Sequence, residues 1–296
     1  MKRIYYLFLM VISIQGFQSR STFAQLNPLG AQYFQNQYLG NPALAGTEQG
    51  MDLNMGVRQQ WSNIPGSPTM QAFTAVYGLN NKVGLGLNLS NDKSGLFKRT
   101  RALASYAYHL PLNNENKKLS FGLSMGIMNE RITLEEIQGN PNDIQVGTFN
   151  QRETYIDGDF GLAYTGTNFN LQAAIPNMKN YLGKDLNRYA VNRATFFSAV
   201  SYKFNFDGTT ALSFEPKVAY RGVRGMRNII DAGANLSYAN NMINFFGMYH
   251  SINSTTFGLG LNYQNIGFIG MYSTATSALS NYANGNFEVS MRVNIF

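Results

Sequence analysis

The sequence predicts an all-β fold: an antiparallel transmembrane outer-membrane β-barrel of about 14 strands. Three observations carry that prediction. The chain ends on Phe287-Glu288-Val289-Ser290-Met291-Arg292-Val293-Asn294-Ile295-Phe296, where apolar and polar residues alternate with the period of two of a strand that is wet on one face. Aromatic residues make up 14% and charged residues 13% of the 296, with 29 glycines, a mix that suits aromatic girdles better than a soluble globule. No apolar run long enough for a transmembrane helix follows the N-terminus, and alternating strands keep the mean hydropathy of a barrel low.

At the N-terminus, Lys2 and Arg3 precede an apolar run from Ile4 to Ile14, and Thr22-Phe23-Ala24 supplies a processing site. Residues 1–24 are therefore expected to be a signal peptide, with the mature chain starting at Gln25. The run is too short for a membrane anchor, and no Cys follows it to carry a lipid. Without Lys2, Arg3 and Arg20 the formal charge falls from +7 to +4, too mild and too scattered for a nucleic-acid partner. The lack of Cys excludes disulfides and thiolate metal sites without fixing the compartment.

Residues 25–50 are rich in Asn, Gln, Tyr and Pro and do not alternate. They read as an N-terminal extension on the periplasmic side or tucked into the lumen, before a single barrel domain over 51–296. The first strand, 51–61, shows Leu53, Met55 and Val57 on one face and ends at Pro65, Gly66 and Pro68. Strands follow at 70–79, 82–91, 100–110 and 118–129. In the third, Val83, Leu85, Leu87 and Leu89 face out while Gly84, Gly86 and Asn88 face in; in the fifth, Leu119 to Ile127 alternate with Ser120, Gly122, Ser124 and Gly126. On that parity Leu123→Arg should cost about 2 to 4 kcal/mol, whereas Ser124→Arg needs only room and water. The remaining strands are read at 154–165, 168–176, 194–205, 209–221, 228–238, 242–250, 255–264, 266–274 and 287–296. Short turns at Asn80-Asn81, Gly166-Thr167 and Asn240-Asn241 follow even strands, and the long connections 130–153 and 177–193 follow odd ones, which is the barrel rule. Pro216 lies inside a strand, so a bulge is expected there. Phe296 falls on the polar parity, facing the lumen side of the rim or re-aimed by a terminal bulge.

Candidate chemistry is sparse. The two histidines, His109 and His250, fall at opposite ends of the barrel and cannot share a site, and neither sits in a nucleophile motif. Glu135-Glu136 and Asp143 do not complete a calcium loop, and Asn140-Pro141-Asn142-Asp143 reads as a turn. No catalytic, cofactor or metal residue is expected, and the chain does not read as an enzyme. Glu215 and Lys217, two apart, share a face and should enter the lumen, pairing with Arg221 or with Glu288 and Arg292. A satisfied polar interior is the simpler reading of these charges than an ion-selectivity ring. Arg58 to Trp61 read either as a partner site or as an interfacial Trp with Arg58 inside.

Asn41-Pro42-Ala43-Leu44-Ala45-Gly46 is followed by Arg58-Gln59-Gln60-Trp61 and Gly66-Ser67-Pro68-Thr69. Then come Val83-Gly84-Leu85-Gly86-Leu87, Asn91-Asp92, Gly95, Tyr106-Ala107-Tyr108-His109-Leu110 and Leu119-Ser120-Phe121-Gly122-Leu123. In this order and spacing the chain resembles the PorP/SprF family of outer-membrane proteins of type IX secretion systems. The departures are Phe287-Glu288 where the family tends to His-Glu, and Tyr272-Ser273 where it tends to Tyr-Asp. The resemblance implies a cell outer-membrane barrel of a secretion or gliding machine, embedded in membrane lipid. It further implies an exported surface protein or adhesin as partner, and contacts with periplasmic and outer-membrane subunits. It singles out Asn41, Pro42, Gly46, Arg58, Gln59, Gln60, Trp61, Gly66, Pro68, Asp92 and Gly95 as candidate motif or partner residues. A general porin for small solutes is the alternative.

Overall fold

The computed structural model describes residues 29–62, 66–112, 117–132, 154–179, 194–206, 211–223, 228–274 and 284–295. The signal segment, the greater parts of the two long connections with Glu135, Glu136 and Asp143, and Phe296 lie outside the described residues.

The alternation in the sequence becomes pairing in one closed sheet. The strands are β1 (Gly50–Gln60), β2 (Thr69–Gly78), β3 (Val83–Ser94), β4 (Phe97–Pro111), β5 (Lys118–Ile132), β6 (Tyr155–Thr165) and β7 (Phe169–Ile175). Next come β8 (Ala194–Tyr202, continued by Phe204–Phe206), β9 (Leu212–Val223), β10 (Ile229–Tyr238), β11 (Ile243–His250), β12 (Ser254–Tyr263), β13 (Ile266–Ser273) and β14 (Asn286–Ile295). Each pairs antiparallel with its neighbours in the chain, and β14 closes on β1 from Met51↔Ile295 to Gln60↔Asn286, giving a barrel of 14 strands. Closure leaves no free edge, which is what allows a sheet to stand in hydrocarbon. The turns after even strands are short and place that end, with β1 and β14 starting and finishing there, at the periplasm.

Burial follows parity. Leu85, Leu87, Leu89, Leu123, Met125 and Ile127 are exposed on the outer wall, while Gly84, Asn88, Ser120 and Ser124 are buried inside. One expectation fails here. Ser124 is 2% exposed and its hydroxyl is 2.6 Å from that of Ser105, which is 2.6 Å from the Tyr38 hydroxyl, so the lumen beside it is filled. Both Leu123→Arg and Ser124→Arg are therefore expected to block assembly, seen as loss of heat-modifiable gel migration, the first through lipid and the second through overpacking. Ser290→Ala, also inward, should assemble normally.

Two boundaries also differ. β3 and β4 run on to Ser94 and Phe97 and turn through Gly95, at φ +57°, and Leu96, so the connection expected over 92–99 does not exist. Apolar alternation marks the lipid band, and the hydrogen-bonded ladder continues past it with polar side chains. At Pro216 there is no bulge: Lys217↔Ser201 resumes as Phe214↔Phe204 in the same register. The missing N–H falls opposite Tyr202, in the gap between those two pairs, while Lys203 bonds to the β7 side, donating its N–H to Asn168 O (2.7 Å) and accepting from the Asn168 amide (2.6 Å). The irregularity in this pair lies at Gly222/Val223.

Candidate functional site

Residues 29–49 fill much of the lumen. Three 3-10 turns, Gly30–Gln32, Gln37–Leu39 and Pro42–Leu44, shorten the segment and satisfy its backbone without a sheet. Its lower part sits directly on the wall. Asn41 caps the third turn, its Oδ1 accepting from Ala43 N (3.0 Å), and its amide donates to Leu162 O (2.9 Å) and Ala173 O (3.4 Å) of β6 and β7. Pro42 occupies the first position of the turn, where no N–H is missed. Gly46 leaves it at φ +59°, against Tyr77 O. This approach is possible because the facing wall positions lack side chains: a Cβ on Gly84 would lie 1.9 Å from Ala45 O, on Gly122 2.2 Å from Ala43 N, and on Gly161 2.0 Å from Asn41 Oδ1. His109 closes the seat, donating from Nε2 to Ala45 O (3.0 Å), with Nδ1 2.8 Å from the Ser120 hydroxyl.

The upper part is held by the lumen charges of the opposite wall. Glu288 accepts from Gly30 N (2.8 Å) and Ala31 N (3.2 Å). Asp231, fully buried, accepts from the Tyr33 hydroxyl (2.8 Å), from Nε and Nη2 of Arg221 (2.8 and 3.0 Å) and from His250 Nδ1 (2.7 Å). His250 Nε2 reaches the Thr256 hydroxyl at 2.8 Å. The carboxylate partner of His250 escaped sequence reading because it comes from the register pair Asp231↔His250 across two strands. Lys217 donates to Tyr33 O and to Gln37 Oε1 (3.1 Å), and Glu215 accepts from the Ser201 hydroxyl (2.6 Å). Arg292 pairs with Asp52. The charges named from sequence thus share the lumen, but Arg221, Glu288 and Arg292 find partners other than Glu215 and Lys217; the pair Lys217–Glu215 itself is loose, at 3.9 Å.

Between these two anchor regions the segment meets the wall through apolar side chains. Ala31, Tyr33 and Phe34 meet Phe197, Phe246, Met248, Ile269 and Met271 in one apolar cluster, with the Phe34 and Phe246 rings 5.6 Å apart. Sequence reading missed these inward residues. The signal was present in Phe245-Phe246-Gly247-Met248-Tyr249 and Ile266-Gly267-Phe268-Ile269-Gly270-Met271, where both parities are apolar, the pattern of a strand buried on two faces. Toward the periplasmic end the segment leaves a cavity of about 570 Å³, lined by Glu48, Asp52, Lys118, Tyr164, Gln172 and Arg292 among others.

The remaining motif residues lie at the outer end. Arg58 and Gln60 face inward and are buried, Arg58 opposite Glu288 in the ladder. Gln59 donates to the Ser67 hydroxyl (2.5 Å), Gln60 N to Pro68 O (2.9 Å), and Trp61 takes φ 47° where the chain leaves β1. Gly66, at φ +70°, completes that loop, and Asp92 stands opposite Arg99 beneath the Gly95 turn. No group of acidic, His or Cys side chains among the described residues is arranged to hold a metal.

A family model described as type IX secretion system membrane protein PorP/SprF matches residues 22–293. No curated protein matches the sequence. Among solved structures, the Ralstonia pickettii toluene transporter TbuX is similar at 12% identity and a TM-score of 0.50, covering 88% of this chain and 94% of its own. The Acinetobacter baumannii outer membrane protein Omp33 aligns at 9% identity and a TM-score of 0.48, over 84% of this chain and all of its own. The first of these likenesses supports the barrel fold and nothing finer.

Proposed function

The chain belongs to the PorP/SprF family of type IX secretion membrane proteins, and on that premise we propose that it is a non-enzymatic barrel that holds an exported surface protein. In this reading the long outer connections grip the exported chain, and the periplasmic rim, with its polar cavity, meets periplasmic subunits of the machine. The observation that carries it is the apolar cluster that packs residues 31–34 against β8, β11 and β13. A porin needs a water-filled lumen, whereas a holder needs only a rigid platform, and a barrel packed on its own N-terminal segment suits the second. Binding energy then comes from loops positioned by that scaffold.

Deleting the gene should remove one or a few exported proteins from the cell surface and leave uptake of small solutes nearly unchanged. Shortening the 130–153 connection should weaken co-purification with that exported partner while the barrel stays heat-modifiable. Steady salt-conducting pores from the purified protein in planar bilayers, together with normal surface display in the deletion strain, would establish the porin instead.

A further inference from the structure

Residues 29–49 touch the two halves of the ring with different parts of their length. Residues 30–33 bond to the second half: Glu288 of β14 accepts from Gly30 N and Ala31 N (2.8 and 3.2 Å), Asp231 of β10 accepts from the Tyr33 hydroxyl (2.8 Å), and Lys217 of β9 donates to Tyr33 O. Residues 36–45 bond to the first half. The Asn36 amide donates to the Thr74 hydroxyl of β2 (2.8 Å), the Tyr38 hydroxyl is 2.6 Å from that of Ser105 on β4, Asn41 donates to carbonyls of β6 and β7, and Ala45 O accepts from His109 of β4. Gln37 lies at the crossing, its Oε1 accepting from Gln172 of β7 (2.8 Å) and from Lys217 of β9 (3.1 Å). Every strand pair but one joins neighbours in the chain; the exception is the seam between β1 and β14, which come from its two ends. The loop entropy of such a non-local pairing must be met before its ladder gives anything back.

We propose that residues 29–46 are a built-in template for closing the ring: the two half-sheets fold onto this segment from either side, and only then does β14 pair with β1. None of these bonds needs the seam, because β9 to β14 pair with one another in chain order, as do β2 to β7. The segment runs directly into β1 at Gly50. Once Tyr33 is on Asp231 and Lys217, a short stretch of chain tethers β1 to the half-sheet that carries β14, and the search for the last pairing becomes local. The two events meet at Glu288, which holds Gly30 and Ala31 and stands opposite Arg58 in the seam ladder. Closure of the ring on its own segment is independent of what the finished barrel holds.

The test is the time course of seam formation as the urea-unfolded chain refolds into detergent micelles. The chain has no Cys, so Val57→Cys with Val289→Cys, opposite one another in the seam, reports closure as a disulfide when oxidant is added at timed intervals. A hydrogen bond to a charged group is worth about tenfold or more in an equilibrium constant, and one made before closure acts on the closing rate, so Tyr33→Phe and Lys217→Met should each delay the seam by about tenfold. Ser237→Ala, which removes a lumen bond to Asn244 (2.7 Å) without touching the segment, should leave it on time. A second arm needs no lumen variant: a synthetic peptide of residues 29–49, in large excess, should occupy the half-sheets of the parent chain and delay its seam. A seam that forms at the parental rate in either Tyr33→Phe or Lys217→Met, or with the peptide present, would overturn the proposal.

Discussion

Replacing Gly122 by valine is expected to unseat the Asn41–Gly46 turn while the barrel still closes. The new Cβ would stand 2.2 Å from Ala43 N and 2.3 Å from Pro42 C, both backbone atoms that no rotamer change can move. Overpacking typically costs 1 to 3 kcal/mol, and a clash with backbone should fall at the upper end, about 3 kcal/mol. The turn leaves, because the strand cannot: β5 is bonded along its length to β4 and β6. With it go the Asn41 bonds to Leu162 O and Ala173 O and the His109 bond to Ala45 O. Protease added to the solubilised native barrel should spare residues 29–49, whereas in Gly122→Val it should cut there with heat-modifiable migration retained. Bilayer recordings should show conductance from the variant and little from the native protein. Gly270→Ala is the control, since nothing lies within 4 Å of a Cβ at that position. An N-terminal segment as resistant in Gly122→Val as in the native protein would show that the glycine seat does not hold it.

Asp231→Leu should cost about 3 to 5 kcal/mol of barrel stability, the range for removing one member of a buried ion pair. Asp231 is wholly buried and its two oxygens take bonds from Arg221, His250 and Tyr33. Its loss leaves charge and donors in a space walled by the apolar cluster, where water does not readily replace the carboxylate. The readout is the midpoint of heat or urea unfolding on gels, which should fall well below that of the native protein. Arg292→Gln, which removes the partly exposed pair with Asp52 at the periplasmic rim, should shift it far less. Similar shifts for both would mean that the Asp231 cluster is no more than a solvated lumen pair.

The barrel was legible in the sequence because lipid on one side imposes a period of two on every strand, and fourteen strands followed from counting those runs. Their ends were less legible. In β3 and β4 the apolar signal stops at Leu89 and Ala102 while pairing continues to Ser94 and Phe97, because hydrogen bonds between backbones do not require apolar side chains. The motif residues Asn41, Pro42 and Gly46 were legible as unusual, but not what they do, since their partners Gly84, Gly122 and Gly161 are glycines of three different strands. In a strand pattern an inward glycine reads as a mere small lumen residue.

The local period of the chain by itself determined the strands, their inward and outward faces and the closing partner of the last one. Only the tertiary structure decided what the inside is for. Lumen side chains are chosen by whatever lies across the barrel from them, and here that is residues 29–49, brought against Leu162, Asp231 and Glu288 from far away in sequence. No local period encodes such a contact, so the pairing of Arg221 with Asp231 and the apolar cluster around Tyr33 emerge only once the ring has closed.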